Sequence, residues 1–295
     1  MQIVTLTTDF GLDDAYVPAM KGVILGINPA VRLVDICHTI QPQDPAQASF
    51  ILESACPYFP VGTIHLVVVD PGVGGARRAL IVKTPEALYV GPDNGVLSHV
   101  MPRTLREGVP GQESGGRVGL PPGIRAFELK DPKFRRHPVS NTFHGRDIFA
   151  PAAAHLSLGI PLEEFGPPVD EIMVLPLPSP VPVAPEAAAG PPGATAAPFE
   201  LAGQVIHVDR FGNLITNFRE TDLALLGGGE YRVQVGGCAI DRIVSTYVDA
   251  EIGEVVALMG SSGYLEISER NGSAAAILSA GPGTEVRVRS TANRP

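Results

Sequence analysis

The apolar positions of residues 2–69 switch repeatedly between strand spacing and helix spacing, and few folds accommodate that alternation. Gln2–Thr8 reads as a strand, with Ile3, Val4 and Leu6 apolar. Ala15–Ile27 reads as a helix, with Val17, Met20, Ile24 and Ile27 on one face. Asp13 or Asp14 is its expected N-cap, and Pro18 falls near the first turn, where it costs little. Val31–Cys37 is a second strand, and Asp44–Tyr58 a second helix with Ala48, Ile51, Leu52 and Ala55 inward. Ile64–Val69 is a third strand, too short for a helix and rich in β-branched residues. Strand, helix, strand, helix, strand predicts an α/β domain whose mainly parallel central sheet carries helices on its faces.

Short strands follow at Ala79–Lys83, Ala87–Val90 and Arg125–Leu129, and Gly91-Pro92-Asp93-Asn94-Gly95 is a tight turn. Val96–Val100 starts a short helix, residues 103–123 read as a surface loop, and Ile148–Leu158 is an Ala-rich helix. Residues 174–198 hold many Pro, Ala and Gly and almost no charge, the composition of a semi-extended linker. Beyond it the pattern changes to short β-branched segments between Gly turns: Gln204–Asp209, Tyr231–Val235, Gly253–Met259, Tyr264–Ile267 and Thr284–Arg289. That spacing predicts a small all-β barrel or sandwich. The expected division is an α/β domain at 1–173, a linker at 174–198 and a β-barrel domain at 199–295.

Composition excludes several classes. A net charge of −9 argues against a general nucleic-acid binder. No apolar run is long enough for a transmembrane helix, so no membrane partner is expected. No signal peptide is evident, and Cys37, Cys56 and Cys238 form neither a disulfide framework nor a zinc spacing, so cytoplasm is the expected location. There is no G-x-x-x-x-G-K-[ST], and Gly72-Val73-Gly74-Gly75 does not complete G-x-G-x-x-G, which disfavours a P-loop NTPase or a Rossmann dehydrogenase.

Several stretches could carry chemistry. Asp70 ends the third strand and is followed by Pro71, three glycines and Arg77-Arg78. Ligands of open α/β sheets bind beyond the carboxyl ends of the strands, so this loop suits a polar site. It is also consistent with Asp70 merely capping a turn. Asp9 ends the first strand, too far ahead of the helix to cap it, and a carboxylate there suits ribose hydroxyls or a metal. His144 lies beside Gly145 at a helix start; it could approach a substrate and move a proton, or simply bond its own loop. His38, His99 and His155 read as structural. Asp209-Arg210-Phe211-Gly212-Asn213 offers an acid, an aromatic face and an amide suited to a purine, or a plain turn. Gly260-Ser261-Ser262-Gly263 offers backbone N–H groups for a carboxylate, or a hairpin.

Taken in order, Thr8-Asp9-Phe10-Gly11, Val69-Asp70-Pro71-Gly72-Val73-Gly74, Gly91-Pro92-Asp93-Asn94-Gly95, Thr142-Phe143-His144-Gly145-Arg146-Asp147, Asp209-Arg210-Phe211-Gly212-Asn213 and Gly260-Ser261-Ser262-Gly263-Tyr264-Leu265-Glu266-Ile267 are specific. Together they make the chain resemble the S-adenosyl-L-methionine (SAM) hydrolases, also called SAM hydroxide adenosyltransferases, which are related to fluorinase and chlorinase. The resemblance covers nearly the whole chain except the 103–123 loop and the Pro-rich linker. It implies hydrolysis of SAM to adenosine and L-methionine with no cofactor and no metal. It implies a homotrimer whose sites lie between the N-terminal domain of one subunit and the C-terminal domain of the next. An Asp-Arg-His set falls on Asp70, Arg77 and His144, with Arg78 as rival to Arg77. Asp9 would hold the ribose hydroxyls. Phe211 and Tyr247 would sandwich the adenine, Asn213 would meet its edge, and the backbone near Asn271 would close the pocket. Asp209 would pair with the methionine ammonium, and Ser261 and Ser262 would receive the carboxylate. Halogenating relatives lack the Asp-Arg-His set; Gly145 discriminates less, and Ser262 replaces an arginine of the fluorinase carboxylate site.

The sulfonium of SAM departs as a neutral thioether, so the demand is for an in-line nucleophile at about 3–3.5 Å. Asp70 and His144 are both candidates to take the proton of water, which is help worth about 10²–10⁴-fold, and Arg77 could stabilise hydroxide and keep Asp70 ionised. Three other readings are a SAM-dependent halogenase, a non-catalytic SAM or adenosine sensor, and a metal-dependent phosphohydrolase using Asp9, Asp13, Asp14 and His144.

Overall fold

A computed structural model describes residues 2–107, 115–183, 200–227 and 230–291. The described residues divide into two compact units, one ending at Pro176 and one beginning at Leu177.

The first unit follows the predicted alternation. Ile3–Thr8 (β1), Tyr16–Ile27 (α1), Arg32–Cys37 (β2), Pro45–Ala55 (α2) and Thr63–Val68 (β3) come in that order, then Ala79–Lys83 (β4) and Ala87–Pro92 (β5). Strands β1, β2, β3 and β5 are mutually parallel, and β4 turns back antiparallel to β5. Every residue of β3 is buried, as a strand covered on both faces requires. Ile64, Leu66 and Val68 face the layer that holds Met20 and Ile24 of α1, whereas Val67 and Val69 face Ala48 and Leu52 of α2. This is the period-two division expected of a central strand.

Two local expectations are corrected, at the α1 cap and at residues 103–123. Neither Asp13 nor Asp14 caps α1; its N-cap is Ala15, with no side-chain bond. The α2 cap is Asp44, whose side chain accepts from the Gln47 amide. Residues 103–123 are not one loop: Arg103–Glu107 (α3) is helical, and Gly116–Gly119 (β6) is a strand, with 108–114 outside the described residues. Arg125–Glu128 (β7) and Pro168–Val169 (β8) extend the sheet to the order β2-β1-β3-β5-β4-β7-β8, while β6 pairs with Glu171–Val174 (β9). The Ala-rich helix is Ala150–Ser157 (α4), entered through one wide π turn at Gly145–Phe149 that periodicity does not reveal.

The second unit is a barrel-like sheet of nine strands. They are Val181–Val183 (β10), Glu200–Val208 (β11), Leu214–Arg219 (β12), Tyr231–Val235 (β13), Cys238–Ile240 (β14), Ile243–Val244 (β15), Val255–Met259 (β16), Tyr264–Glu269 (β17) and Glu285–Ser290 (β18). The short helices Glu220–Leu225 (α5) and Ala274–Leu278 (α6) interrupt it. Its core runs from Leu201 and Phe218 to Leu265 and Val288. Strand β10 falls inside the stretch read as linker and pairs with β11; residues 184–198 of that stretch lie outside the described residues.

Candidate active site

Strand order positions the site. From β1 the chain crosses to β2 on one side; it then returns past β1 to β3 on the other. The carboxyl ends of β1 and β3 therefore flank a topological switch point, where an open α/β sheet leaves a crevice. Asp9 immediately follows β1, and Asp70 follows β3.

Both acids line one cavity of about 410 Å³ together with His144, Phe10, Tyr16 and Phe143. Arg77 joins Asp70 to His144. Its Nε lies 3.0 Å from both Asp70 carboxylate oxygens, and its NH2 donates to Asp70 Oδ2 at 2.5 Å. The same NH2 lies 2.7 Å from His144 Nδ1. Asp70 and Arg77 are largely withdrawn from solvent, with side chains 5% and 11% exposed. The guanidinium also stacks 5.3 Å from the centre of the Phe149 ring.

This geometry fixes the imidazole's tautomer. Guanidinium only donates, so His144 Nδ1 must accept and the ring proton sits on Nε2. Burial, with the Arg77 charge adding to it, lowers the His144 pKa from its ordinary value, which favours the neutral ring that this bond needs.

The two adjacent arginines have different carboxylate partners, and that of Arg78 is Asp93. That buried carboxylate accepts from Arg78 Nε at 2.8 Å, from Arg117 NH1 at 3.1 Å and from the Met173 amide at 2.7 Å. Arg78 is therefore spent on the Gly91–Gly95 turn, and Arg77 alone reaches Asp70. Asn94 of the same turn donates to the Val69 carbonyl at 2.9 Å and so anchors the strand end that presents Asp70.

His144 rides on a loop braced by Asp147, which is fully buried. Asp147 accepts from Arg146 Nε at 2.7 Å, Arg146 NH2 at 2.8 Å and the Ser140 amide at 2.9 Å. Where this loop meets the Asp70 loop, the contact is made by a glycine. Gly74 has φ +78°, and a Cβ there would fall 2.5 Å from the Asn141 carbonyl oxygen. Asp9 accepts from the Gln43 amide at 2.9 Å. Sequence reading missed the aromatic wall of Phe10, Tyr16 and Phe143, whose ring centres lie 5.1–5.9 Å apart. Its signal was present: a Phe stands directly beside Asp9 and another beside His144.

In the second unit, the expected substrate residues occupy the turns of the barrel-like sheet. Asp209 organises its own turn: Oδ1 accepts from the Phe211 and Asn213 amides, and Oδ2 from Asn213 Nδ2. Phe211 is 76% exposed at the tip of that turn. The Tyr247 hydroxyl donates to Glu266 Oε1 at 2.6 Å; burial and the neighbouring carboxylates push its pKa up to about 12. Ser261 and Ser262 sit in the tight turn closed by the Gly263 amide on the Gly260 carbonyl. Asn271 takes the left-handed conformation at φ +63°.

Two family models match the chain: the SAM hydroxide adenosyltransferase N-terminal domain over residues 4–166 and the C-terminal domain over 203–287. The chain belongs to the SAM hydroxide adenosyltransferase family. A relative named (R)-S-adenosyl-L-methionine hydrolase from Thermus thermophilus is 38% identical, covering 98% of this chain and all of that protein. A relative of the same name from Salinispora tropica is 37% identical, covering 97% of both. A fluorinase from Nocardia brasiliensis is 28% identical, covering 97% of this chain and 96% of the relative. A crystal structure of an uncharacterised conserved protein from Thermotoga maritima superposes with a TM-score of 0.79 at 35% identity, covering 97% of this chain and 99% of that one. In this chain Asp70, Arg77 and His144 all fall within the stretch that matches the N-terminal domain model. Among the described residues no group of three His, Cys, Asp or Glu is placed to hold a metal ion, and no helix is long and apolar enough to cross a membrane.

Proposed function

We propose that this chain hydrolyses SAM to adenosine and L-methionine, with water attacking C5′. The observation that carries the reading is that Asp70 and His144, distant in sequence, line one cavity with Asp9 and are bridged by Arg77. Membership of a family whose more similar relatives are named SAM hydrolases supports the same reaction.

The geometry divides the labour. Because His144 Nδ1 is engaged by Arg77, its Nε2 is a donor and not a base toward the cavity. The Asp70 carboxylate accepts three contacts from Arg77 and keeps one lone-pair site for a further donor. Water therefore loses its proton to Asp70 as its oxygen bonds to C5′. The C5′–S bond breaks with its electron pair retained on sulfur, so methionine leaves as a neutral thioether. Arg77 holds both partners in register, and the His144 Nε2–H orients the attacking oxygen. Asp9 takes the ribose hydroxyls.

The C-terminal residues Phe211, Asn213, Tyr247, Asp209, Ser261, Ser262 and Asn271 are assigned the adenine and the methionine end. The assembly that brings them to the cavity is a homotrimer with sites at subunit interfaces, working in the cytoplasm without added metal or cofactor. Purified protein incubated with SAM, chloride and fluoride tests the reaction. Adenosine and methionine in equal amounts support it; a 5′-halo-adenosine points to the fluorinase-like alternative, and SAM binding without product to a sensor.

A further inference from the structure

Asp9 lies where the chain leaving β1 meets the chain leaving β2, and hydrogen bonds join the two. The Gly11 amide donates to the His38 carbonyl at 2.7 Å, the Thr8 hydroxyl meets His38 Nδ1 at 2.8 Å, and the Gln43 amide donates to Asp9 Oδ2 at 2.9 Å. The first two belong to His38, which directly follows β2 and is buried. The Phe10 amide also bonds Thr8 Oγ1, at 3.3 Å. His38 thus holds the chain on both sides of Asp9: at Thr8 through its ring and at Gly11 through its carbonyl. Any residue could make the carbonyl bond; the ring bond is particular to His38.

The ring is itself fixed from behind. Its Nε2 lies 3.0 Å from Asp35 Oδ1, out of line for a straight hydrogen bond but within ion-pair distance. Asp35 Oδ2 accepts from Lys21 Nζ at 2.6 Å, which ties the carboxylate to α1. A carboxylate beside Nε2 draws the ring proton of a neutral imidazole to that side, and Nδ1 is left as an acceptor. The Thr8 hydroxyl then spends its one proton on Nδ1, and its oxygen is left to accept from the Phe10 amide.

The loop after His38 carries a second sign of constraint. Pro42 and Gln43 are the centre of a turn closed by the Asp44 amide on the Gln41 carbonyl at 3.2 Å. The proline ring keeps φ negative at Pro42, while Gln43 has φ +66°. That is the sign pattern of a type II turn, whose third residue is ordinarily Gly or Asn. A type I turn would spare a glutamine this conformation. It differs by a flip of the central peptide, however, which would turn the Gln43 amide away from Asp9. Backbone held in a sparsely populated region, with its N–H on a carboxylate that lines the cavity, is the mark of a functional constraint.

We infer that His38 is a positioning residue: by locking the chain after β1 to the chain after β2, it aims the Asp9 carboxylate at the ribose hydroxyls of the substrate. The inference rests on the proposed reading of Asp9 as the ribose ligand. The Gln43 amide takes one lone pair of Oδ2, and a carboxylate offers enough others for both hydroxyls.

Calorimetry on the full-length protein provides the test, with adenosine as the probe and 2′,3′-dideoxyadenosine, which lacks both hydroxyls, as the control. The wild type should bind adenosine about tenfold or more tightly than the dideoxy form. Thr8→Val and His38→Gln each remove the bond between Thr8 and Nδ1. Both should weaken adenosine by about tenfold and leave dideoxyadenosine within about twofold. His38→Asn, whose amide reaches the place of Nδ1, should keep most of the affinity. With SAM, Thr8→Val should raise KM and leave kcat within a few-fold. In an Asp9→Ala background, Thr8→Val should change neither affinity. Equal weakening of the two nucleosides would make His38 a structural residue and overturn the inference. So would wild-type affinity for adenosine in Thr8→Val, a loss of kcat with KM unchanged, or a wild type that does not discriminate between the nucleosides. Thr8→Val keeps the shape of the side chain, so the comparison survives a His38→Gln that does not fold. Hydrolysis is read separately: a wild type that prefers adenosine yet forms none from SAM sinks the proposed reaction and leaves this inference standing.

Discussion

At the scale of single residues, Arg77 is the group on which the site depends. Its planar fork serves one carboxylate and one imidazole at once, which a lysine ammonium cannot do in one geometry. Arg77→Lys should lower kcat by about 10²-fold or more while KM for SAM moves only a few-fold, read from adenosine formation. Asp70→Asn removes the proposed proton acceptor yet keeps the shape; it should bind SAM and lose most turnover, and unchanged turnover would remove Asp70 from the chemistry. The pH dependence follows from His144. Its folded pKa is lowered by burial and by Arg77, so the neutral ring prevails through neutral pH. Acidification past that lowered value puts a proton on Nδ1, against the Arg77 cation. The rate–pH profile should be flat near neutrality and fall only on the acid side of about 6.5. As candidates, Asp70 is readable in the sequence from its place at the end of an apolar strand and His144 from its place beside Gly145 at a helix start. The different partners of Arg77 and Arg78 are not, because Asp93 lays claim to Arg78 only once β4 and β5 have paired.

At the scale of elements, the site is a meeting of two loops, and glycines set their separation. Gly74→Ala would force a Cβ against the Asn141 carbonyl and place alanine at positive φ. It should cost about 1–3 kcal/mol in urea unfolding and reduce kcat more than it changes KM, because it pries Asp70 away from His144. A variant with native stability and full turnover would show that this contact does not hold the loops in register. The strands and helices themselves were largely readable: β4 and β13 match their expected bounds, since buried β-branched runs between turn residues leave little freedom. Strand β12 is not expected from the sequence, because Leu214–Arg219 begins in a polar motif that reads as a binding turn. The π turn before α4 was unreadable, because an inserted residue leaves no mark on composition; it begins at Gly145, whose would-be Cβ would lie within 3.4 Å of Met20, Phe143 and Val68.

At the scale of the whole chain, stability should depend on acid through histidines remote from the reaction. His65 and His99 have folded pKa values of about 4 and 3, below the ordinary 6.5. The unfolded chain thus takes up protons that the folded chain refuses. Stability is fully present above about 6.5 and declines as pH falls toward those lower values, by up to about 1.4 kcal/mol per pH unit for each ring. Urea unfolding at pH 7 and pH 5 should differ by roughly 2–4 kcal/mol, and His65→Gln should remove about half of that difference. The architecture also explains how neighbours in this family can be named for different reactions, hydrolase at 38% identity and fluorinase at 28%. The crevice between β1 and β3 is made by the direction in which the chain departs from each strand, and Asp9, Asp70 and His144, the groups proposed to act, hang from loops beyond it. Evolution can therefore exchange one reagent for another by editing a few hairpin-sized segments, while the lattice of strands beneath is inherited intact.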